Sequence, residues 1–116
     1  SGSGGDTSNV EGVRIVVMEV DGGMKQMQAM VKELTLDSSV PTIAVLGSRD
    51  GGGKLLVAVT ENTVAAERVD ASVLIREIAP HISGGGGGRP TYAQAGGSNA
   101  DGLEASLDAA RQLLGA

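Results

Sequence analysis

Residues 42–60 read TIAVLGSRDGGGKLLVAVT and carry the strongest fold signal in the chain. Residues 42–47 form one apolar run and residues 54–61 form another, with the turn-forming sequence of residues 50–53 between them. Two such runs joined by a short glycine-rich turn are typical of an antiparallel β-hairpin. We therefore predict a buried strand, a tight turn and a second strand that pairs with the first.

The sequence before this hairpin predicts a strand followed by a helix. Residues 13–20 (VRIVVMEV) are β-branched and mostly apolar, which is typical of a strand buried on both faces. Residues 21–23 (DGG) break the strand. Apolar residues then recur at helical spacing over residues 24–34. We predict an amphipathic helix there, with water-facing charges at Lys25, Lys32 and Glu33.

The sequence after the hairpin predicts two more helices with an unusual segment between them. Thr63 is a candidate N-cap for a helical stretch that runs to Ile78, and Pro80 should kink or end it. Apolar residues at helical spacing over residues 103–114 predict the last helix. Asp101 and Glu104 resemble a capping box at its start.

Between these helices, residues 83–88 (SGGGGG) lead into residues 89–97 (RPTYAQAGG), which we predict to be a loop with a short extra strand near residues 92–95. The element order is then β-α-β-β-α-loop-α. This order predicts an α/β fold of the α+β type, in which helices pack on a small mixed β-sheet. Residues 1–9 are interpreted as a flexible lead-in or a cloning remnant, and residues 10–116 as one domain.

Composition limits the chemistry that the chain can perform. Its 116 residues include no cysteine, phenylalanine or tryptophan and a single tyrosine, so the core must be aliphatic and no disulfide or thiolate metal site can form. No apolar run approaches the roughly 18 residues of a membrane span, and we expect a cytoplasmic protein without a membrane partner. The net charge of −5 argues against general polyanion binding, so any contact with nucleic acid must be local.

The glycine run allows several interpretations. It lacks the Lys and Ser/Thr of a Walker phosphate loop, and it matches a dinucleotide fingerprint only trivially. Two readings stay open: a flexible linker, and a nest of backbone amides that holds a phosphate. The flanking sequence favours the second, because residues 81–100 contain Arg89 and no acidic residue.

The other candidate residues are equally open to plainer explanations. Tyr92 is the only ring that could stack on a base, and it could also be a packed residue whose hydroxyl reaches water. Gln94 could contact a base or ribose, or satisfy backbone groups. The methionines of residues 24–30 are interpreted as core residues, and His81 as a loop or helix-end residue with no metal partner. No arrangement of side chains predicts catalysis or a metal site within these residues.

Residues 84–97, GGGGGRPTYAQAGG, resemble the GG-x-GGGRP-x-x-AQAGG signature near the C-terminus of alanyl-tRNA synthetases. The resemblance extends over nearly the whole chain from about Val10, and Arg89-Pro90 with residues 93–97 (AQAGG) are its specific elements. Phosphoesterases of the DHH class carry a related domain but resemble a GGGH pattern instead. The synthetase family often places a lysine within the glycines, and this chain has another glycine there.

The resemblance implies a DHH-associated, C-terminal (C-Ala) domain that holds no cofactor itself. The parent enzyme would use ATP and Mg²⁺ to charge tRNA(Ala) and a zinc-type editing domain to clear errors. The partners implied are tRNA(Ala), the catalytic and editing domains of the same synthetase and, in some members, a second copy of the chain. The RNA-binding residues expected from it are Gly84, Gly85, Gly86, Gly87, Gly88, Arg89, Pro90, Tyr92 and Gln94.

Two alternative functions remain at this point. The first is a dimerisation or protein-interaction module with little affinity for RNA, which the low basicity favours. The second is the substrate-binding half of a DHH phosphoesterase, which would need an upstream metal-binding domain.

Overall fold

The computed structural model describes residues 7–10, 12–36, 40–60 and 69–115. Within these ranges, six strands form one mixed sheet, three α-helices pack on it, and two 3₁₀ turns occupy Ala79–Ile82 and Ala100–Gly102. The strands are β1 (Thr7–Val10), β2 (Val13–Glu19), β3 (Thr42–Ser48), β4 (Gly53–Val59), β5 (Gly84–Arg89) and β6 (Tyr92–Gly97). The helices are α1 (Met24–Leu34), α2 (Ala71–Ile78) and α3 (Leu103–Leu114).

The strands lie in the order β1-β2-β3-β4-β6-β5, and only the β2–β3 pair is parallel. A parallel pair needs a crossover connection, and α1 supplies it. β3 and β4 form the antiparallel hairpin predicted from residues 42–60, with a turn in which Gly51 and Gly52 adopt positive φ. The predicted mixed sheet with helices packed on it is confirmed.

Two apolar clusters hold helices on opposite faces of the sheet. Successive residues of a strand point to opposite faces, so Ile43 and Val45 join one cluster while Ala44 and Leu46 join the other. The first cluster packs against α2 and α3, and the second packs against α1. β3 is therefore buried along its whole length, as the continuous apolar run predicted.

The two ends of the sheet differ from the sequence-based expectations. The first strand, β1, includes residues 7–9, which the sequence predicts to be part of a flexible lead-in, and it pairs antiparallel with β2. At the other end, residues 84–89 form a strand and not a loop. Glycine is unfavourable in strands because it loses backbone freedom, so local preference alone predicts a loop; pairing with β6 overrides that preference. The extra strand predicted near residues 92–95 is present and extends to Gly97.

A helix lies in each of the three regions where the sequence predicts one, and the predicted starts and ends are met to different degrees. α1 begins and ends where the sequence predicted. The proposed N-cap Thr63 lies outside the described residues. The predicted stretch is not one unbroken helix, because Val69 and Asp70 are not helical and α2 begins only after Asp70. α2 ends at Ile78, and a 3₁₀ turn that contains Pro80 follows from Ala79. The capping box predicted at Asp101 is wrong. The chain enters α3 through a 3₁₀ turn, and the N-cap is Gly102, which makes no side-chain capping bond.

None of the described helices is long and apolar enough to span a lipid bilayer.

Asp70 caps α2, and the capping hydrogen bonds hold its pKa below the usual value for an aspartate. The Ser72 hydroxyl and the main-chain N–H groups of Ser72 and Val73 donate to its carboxylate, at 2.6, 2.9 and 3.4 Å. The Ser72 hydroxyl bond is the main cause that lowers the pKa of Asp70, and the main-chain donors and the charge of Arg76 act in the same direction against partial desolvation. The carboxylate form is therefore favoured in the folded chain.

Asp70→Ala should destabilise the protein at neutral pH, because α2 loses its cap. The folded pKa lies below the unfolded one, about 3.9 for a free Asp side chain. The contribution of the charged form is therefore complete above that pH and lost as the pH falls through the folded pKa. Denaturant unfolding of both proteins should show a stability difference that shrinks on acidification. Asp101→Ala, which removes no capping bond, is the control; an equal loss in that variant contradicts the assignment.

Candidate nucleic-acid interface

The predicted site residues lie on a β-hairpin at one end of the sheet. β5 and β6 pair antiparallel from Gly84 opposite Gly97 to Arg89 opposite Tyr92, and Pro90 and Thr91 form the two-residue turn. β5 is the last strand of the sheet. The glycine run is therefore an exposed edge strand with no side chain before Arg89.

The hydrogen-bonding pattern gives each peptide group of β5 a direction. The N–H of Val59 in β4 donates to the carbonyl of Thr91 at 2.9 Å. Odd-numbered residues of β6 therefore bond to β4, and even-numbered residues bond to the odd-numbered residues of β5. The main-chain groups of the remaining glycines point away from the sheet: Gly84, Gly86 and Gly88.

This pattern corrects the nest interpretation. In a nest, successive N–H groups converge on one anion, whereas successive N–H groups of a strand point in opposite directions. Residues 84–88 are extended and paired to β6. They present a flat stretch of bare main chain, and not a cup of converging amides.

The five glycines fall into two classes when a Cβ atom is placed on each. At Gly84, Gly86 and Gly88 the Cβ would lie 2.1–2.3 Å from a carbonyl oxygen of β6, well inside van der Waals contact. At Gly85 and Gly87 the Cβ would meet nothing within 4 Å. The pairing of β5 with β6 thus requires glycine at three positions, and the fold places no such requirement on the other two.

Five of the predicted residues share one face of the hairpin, on the side of α1. Tyr92 packs into the apolar cluster with α1, while its neighbour Ala93 joins the cluster on the opposite face. Residues that lie opposite each other on paired strands share a face of the sheet. The α1 side of the hairpin therefore carries Gly85, Gly87, Arg89, Tyr92 and Gln94. We call these five residues the glycine face.

At one end of the glycine face, Arg89 and Tyr92 line a surface cavity of about 360 Å³ together with Thr35, Thr60 and neighbouring residues. Arg89 is exposed and forms no ion pair with any residue that the structure describes. Tyr92 is half-buried, so part of its ring is core and part lines the cavity. Packing of Tyr92 is therefore partial, and its stacking on a base stays a prediction.

Gln94 and Pro90 have structural partners. The Nε2 of Gln28 in α1 donates to the Oε1 of Gln94 at 3.3 Å, which places the flank of α1 beside the glycine face. Sequence reasoning missed Gln28, because the two glutamines are 66 positions apart and no local pattern links them. The carbonyl of Pro90 accepts a hydrogen bond from the N–H of Ala71 at 2.8 Å and ties the hairpin turn to α2.

The remaining candidates lie elsewhere. Met27 is fully buried in the α1 cluster, and Met24 is partly buried there. Met30 is 36% exposed and lies outside that cluster, so its interpretation as a core residue is wrong. His81 is an exposed residue of the first 3₁₀ turn. Within the described ranges, no three His, Cys, Asp or Glu residues are grouped closely enough to hold a metal ion.

Comparison with known proteins places this fold in a family. Residues 12–116 match the family model for the DHHA1 domain. The chain is 37% identical over 112 residues to an alanine–tRNA ligase from Pediococcus pentosaceus and 39% identical over 113 residues to one from Natronomonas pharaonis. These alignments cover 96% and 97% of this chain but only 13% and 11% of the relatives.

Solved structures show the same fold. The C-Ala domain of alanyl-tRNA synthetase from Aquifex aeolicus superposes with a TM-score of 0.79 at 20% identity, covering 95% of this chain and 98% of that one. A DHH-domain member of the s1p family of ribosomal proteins gives a TM-score of 0.61 at 12% identity over 93% of this chain and 27% of that one.

The chain belongs to the DHHA1 domain family. Its similarity to alanine–tRNA ligases confirms the resemblance indicated by residues 84–97. The chain spans about 11–13% of the length of those relatives.

The two glycine classes predict opposite results for a single added methyl group. Gly86→Ala should destabilise the protein by about 1–3 kcal/mol or more, because the Cβ would overlap the Gln94 carbonyl oxygen and push β5 off β6. Gly87→Ala should leave the free energy of unfolding unchanged or slightly raised, since its Cβ enters open space. Denaturant unfolding of both variants measures the difference. Equal destabilisation would show that β5 does not pair with β6 in this register.

Proposed function

We propose that this domain binds tRNA(Ala) as the non-catalytic C-terminal part of an alanine–tRNA ligase, at the outer corner of the tRNA, and helps the aminoacylation and editing sites cooperate. The similarity to alanine–tRNA ligases over nearly the whole chain supports this assignment. In this proposal the ATP- and Mg²⁺-dependent charging reaction and the zinc-dependent editing reaction belong to other domains of the parent enzyme.

The observation that carries the proposal is an exposed Arg89 beside main chain that no side chain covers. A guanidinium binds phosphate through charge-assisted, often bidentate hydrogen bonds. Because Gly85 and Gly87 carry no Cβ, a ribose-phosphate chain can approach the strand closely. The nearest sequence, residues 81–100, contains no carboxylate that would repel phosphate.

The cavity at the end of the glycine face suits an exposed base. RNA is recognised where bases are unstacked, and aromatic rings are the usual stacking partners. Tyr92 offers part of its ring to this cavity. The Thr35 hydroxyl donates to the Val31 carbonyl, and its oxygen can still accept a hydrogen bond from a base or a 2′-hydroxyl. Gln94 reaches the same strand of RNA only if it exchanges its bond to Gln28.

The chain's net charge of −5 predicts weak binding by the isolated domain. Few phosphates are neutralised, so affinity is modest and falls with salt. Tethering to the body of a synthetase would raise the effective concentration of the domain near bound tRNA. The domain then contributes to positioning more than to overall affinity.

Arg89→Ala should weaken binding of tRNA(Ala) by about tenfold at low salt, the loss expected for one charge-assisted contact. A fluorescence or band-shift titration with the isolated domain measures this. Arg76→Ala is the matched control, because Arg76 is an exposed arginine of α2 on the opposite side of the sheet. Equal binding by wild type and Arg89→Ala would remove the glycine face from the RNA interface.

A second candidate is a dimerisation module, which the outward-facing peptide groups of β5 favour. An edge strand with free N–H and C=O groups can pair with another strand, including one from a second copy. Sedimentation of the domain with and without tRNA separates the two candidates. A stable dimer that is indifferent to tRNA supports the module, and a monomer that binds tRNA supports the RNA-binding domain.

A further inference from the structure

We propose that the flank of α1 forms the second wall of the RNA site, with Lys25 and Lys32 as phosphate-binding residues opposite Arg89. The inference rests on the proposed function, and it adds two residues that the glycine signature does not contain. Lysines on a helix are usually no more than solvated surface charges, so their position relative to the glycine face decides the matter.

The hydrogen bond from Gln28 to Gln94 fixes which flank of α1 borders the glycine face. Lys25 and Lys32 lie three residues before and four residues after Gln28, and residues at these spacings are neighbours on a helix surface. Both lysines are exposed. Glu33 follows Gln28 by five positions, which places it about 140° around the helix, away from this flank.

The direction of α1 places one lysine near each end of the glycine face. α1 connects the parallel strands β2 and β3, so it runs in the direction opposite to β3. β6 runs in the same direction as β3, because both strands are antiparallel to β4. The end of α1 therefore lies near the start of β6, and the cavity that Thr35 shares with Tyr92 shows this directly. Lys32 is thus at the Arg89 end of the glycine face, and Lys25 is at the other end, where Gly85 lies opposite Gly96.

The α1 flank between the two lysines and the glycine face have similar lengths. Seven residues of helix separate the lysines by about 10 Å along the axis, and four residues of strand separate Gly85 from Arg89 by about 13 Å. Arg89, Lys25 and Lys32 therefore border a surface that is bare main chain at Gly85 and Gly87, and residues 84–97 supply no carboxylate. A lysine ammonium is a compact charge on a flexible stem, and it binds phosphates without demanding one orientation. The surface suits the ribose-phosphate chain and does not depend on base sequence.

The test is the salt dependence of tRNA binding by Lys25→Ala/Lys32→Ala. Each phosphate contact contributes about 0.7 to the slope of log K against log salt for single strands and about 0.9 for duplex. The double variant should lower the magnitude of the slope by about 1.4–1.8, bind more weakly than wild type at low salt and converge with it at high salt. Both side chains are exposed, so the melting temperature should not change.

Charge-preserving variants provide the control. Lys25→Arg/Lys32→Arg should keep the wild-type slope, whereas Arg76→Ala, on α2, should leave both slope and affinity unchanged. If the alanine double variant keeps the wild-type slope while Arg89→Ala weakens binding, the α1 wall is refuted and the proposed function stands. If the wild-type domain binds no tRNA even at low salt, the proposed function fails and the α1 wall with it.

Discussion

β5 can lie against β6 only because Gly84, Gly86 and Gly88 have no Cβ. The overlap that a Cβ would make is with main-chain atoms of β6, which cannot rotate away as a long side chain can. This constraint keeps the last strand of the sheet free of side chains up to Arg89. It also determines the register that places Arg89 opposite Tyr92 at the cavity.

Under the proposed function, the same constraint would let an acidic chain offer a site for a polyanion. A broad basic surface is not needed where phosphate can approach main chain closely and a few cations surround it. α1 packs over the neighbouring strands, and its flank reaches the hairpin at Gln94. The rest of the glycine face lies beside this flank and is not covered by α1. Gly85 and Gly87, which packing does not require to be glycine, are the positions where a ligand would lie closest to the backbone.

The sequence predicted the helices and strands that are determined by residues close together in the chain. The helix at residues 24–34 follows from the spacing of its apolar residues, and the β3–β4 hairpin follows from two apolar runs around a glycine turn. The glycine strand could not be predicted in this way, because the reason for its glycines lies in the main chain of β6. The contact of Gln28 with Gln94 depends on tertiary packing, so the signature indicated one wall of the candidate site and gave no sign of the other.

Amide chemical shifts measured while the ¹⁵N-labelled domain is titrated with tRNA(Ala) would show residue by residue whether RNA contacts the glycine face. The largest changes should fall on Gly85, Gly87, Arg89 and Gly96, with further changes along the Lys25–Lys32 flank of α1. Amides of α2 and α3 on the opposite side of the sheet should stay unchanged. Changes concentrated around Val73 and Leu113, with the glycine strand unaffected, would show that tRNA does not bind at the glycine face.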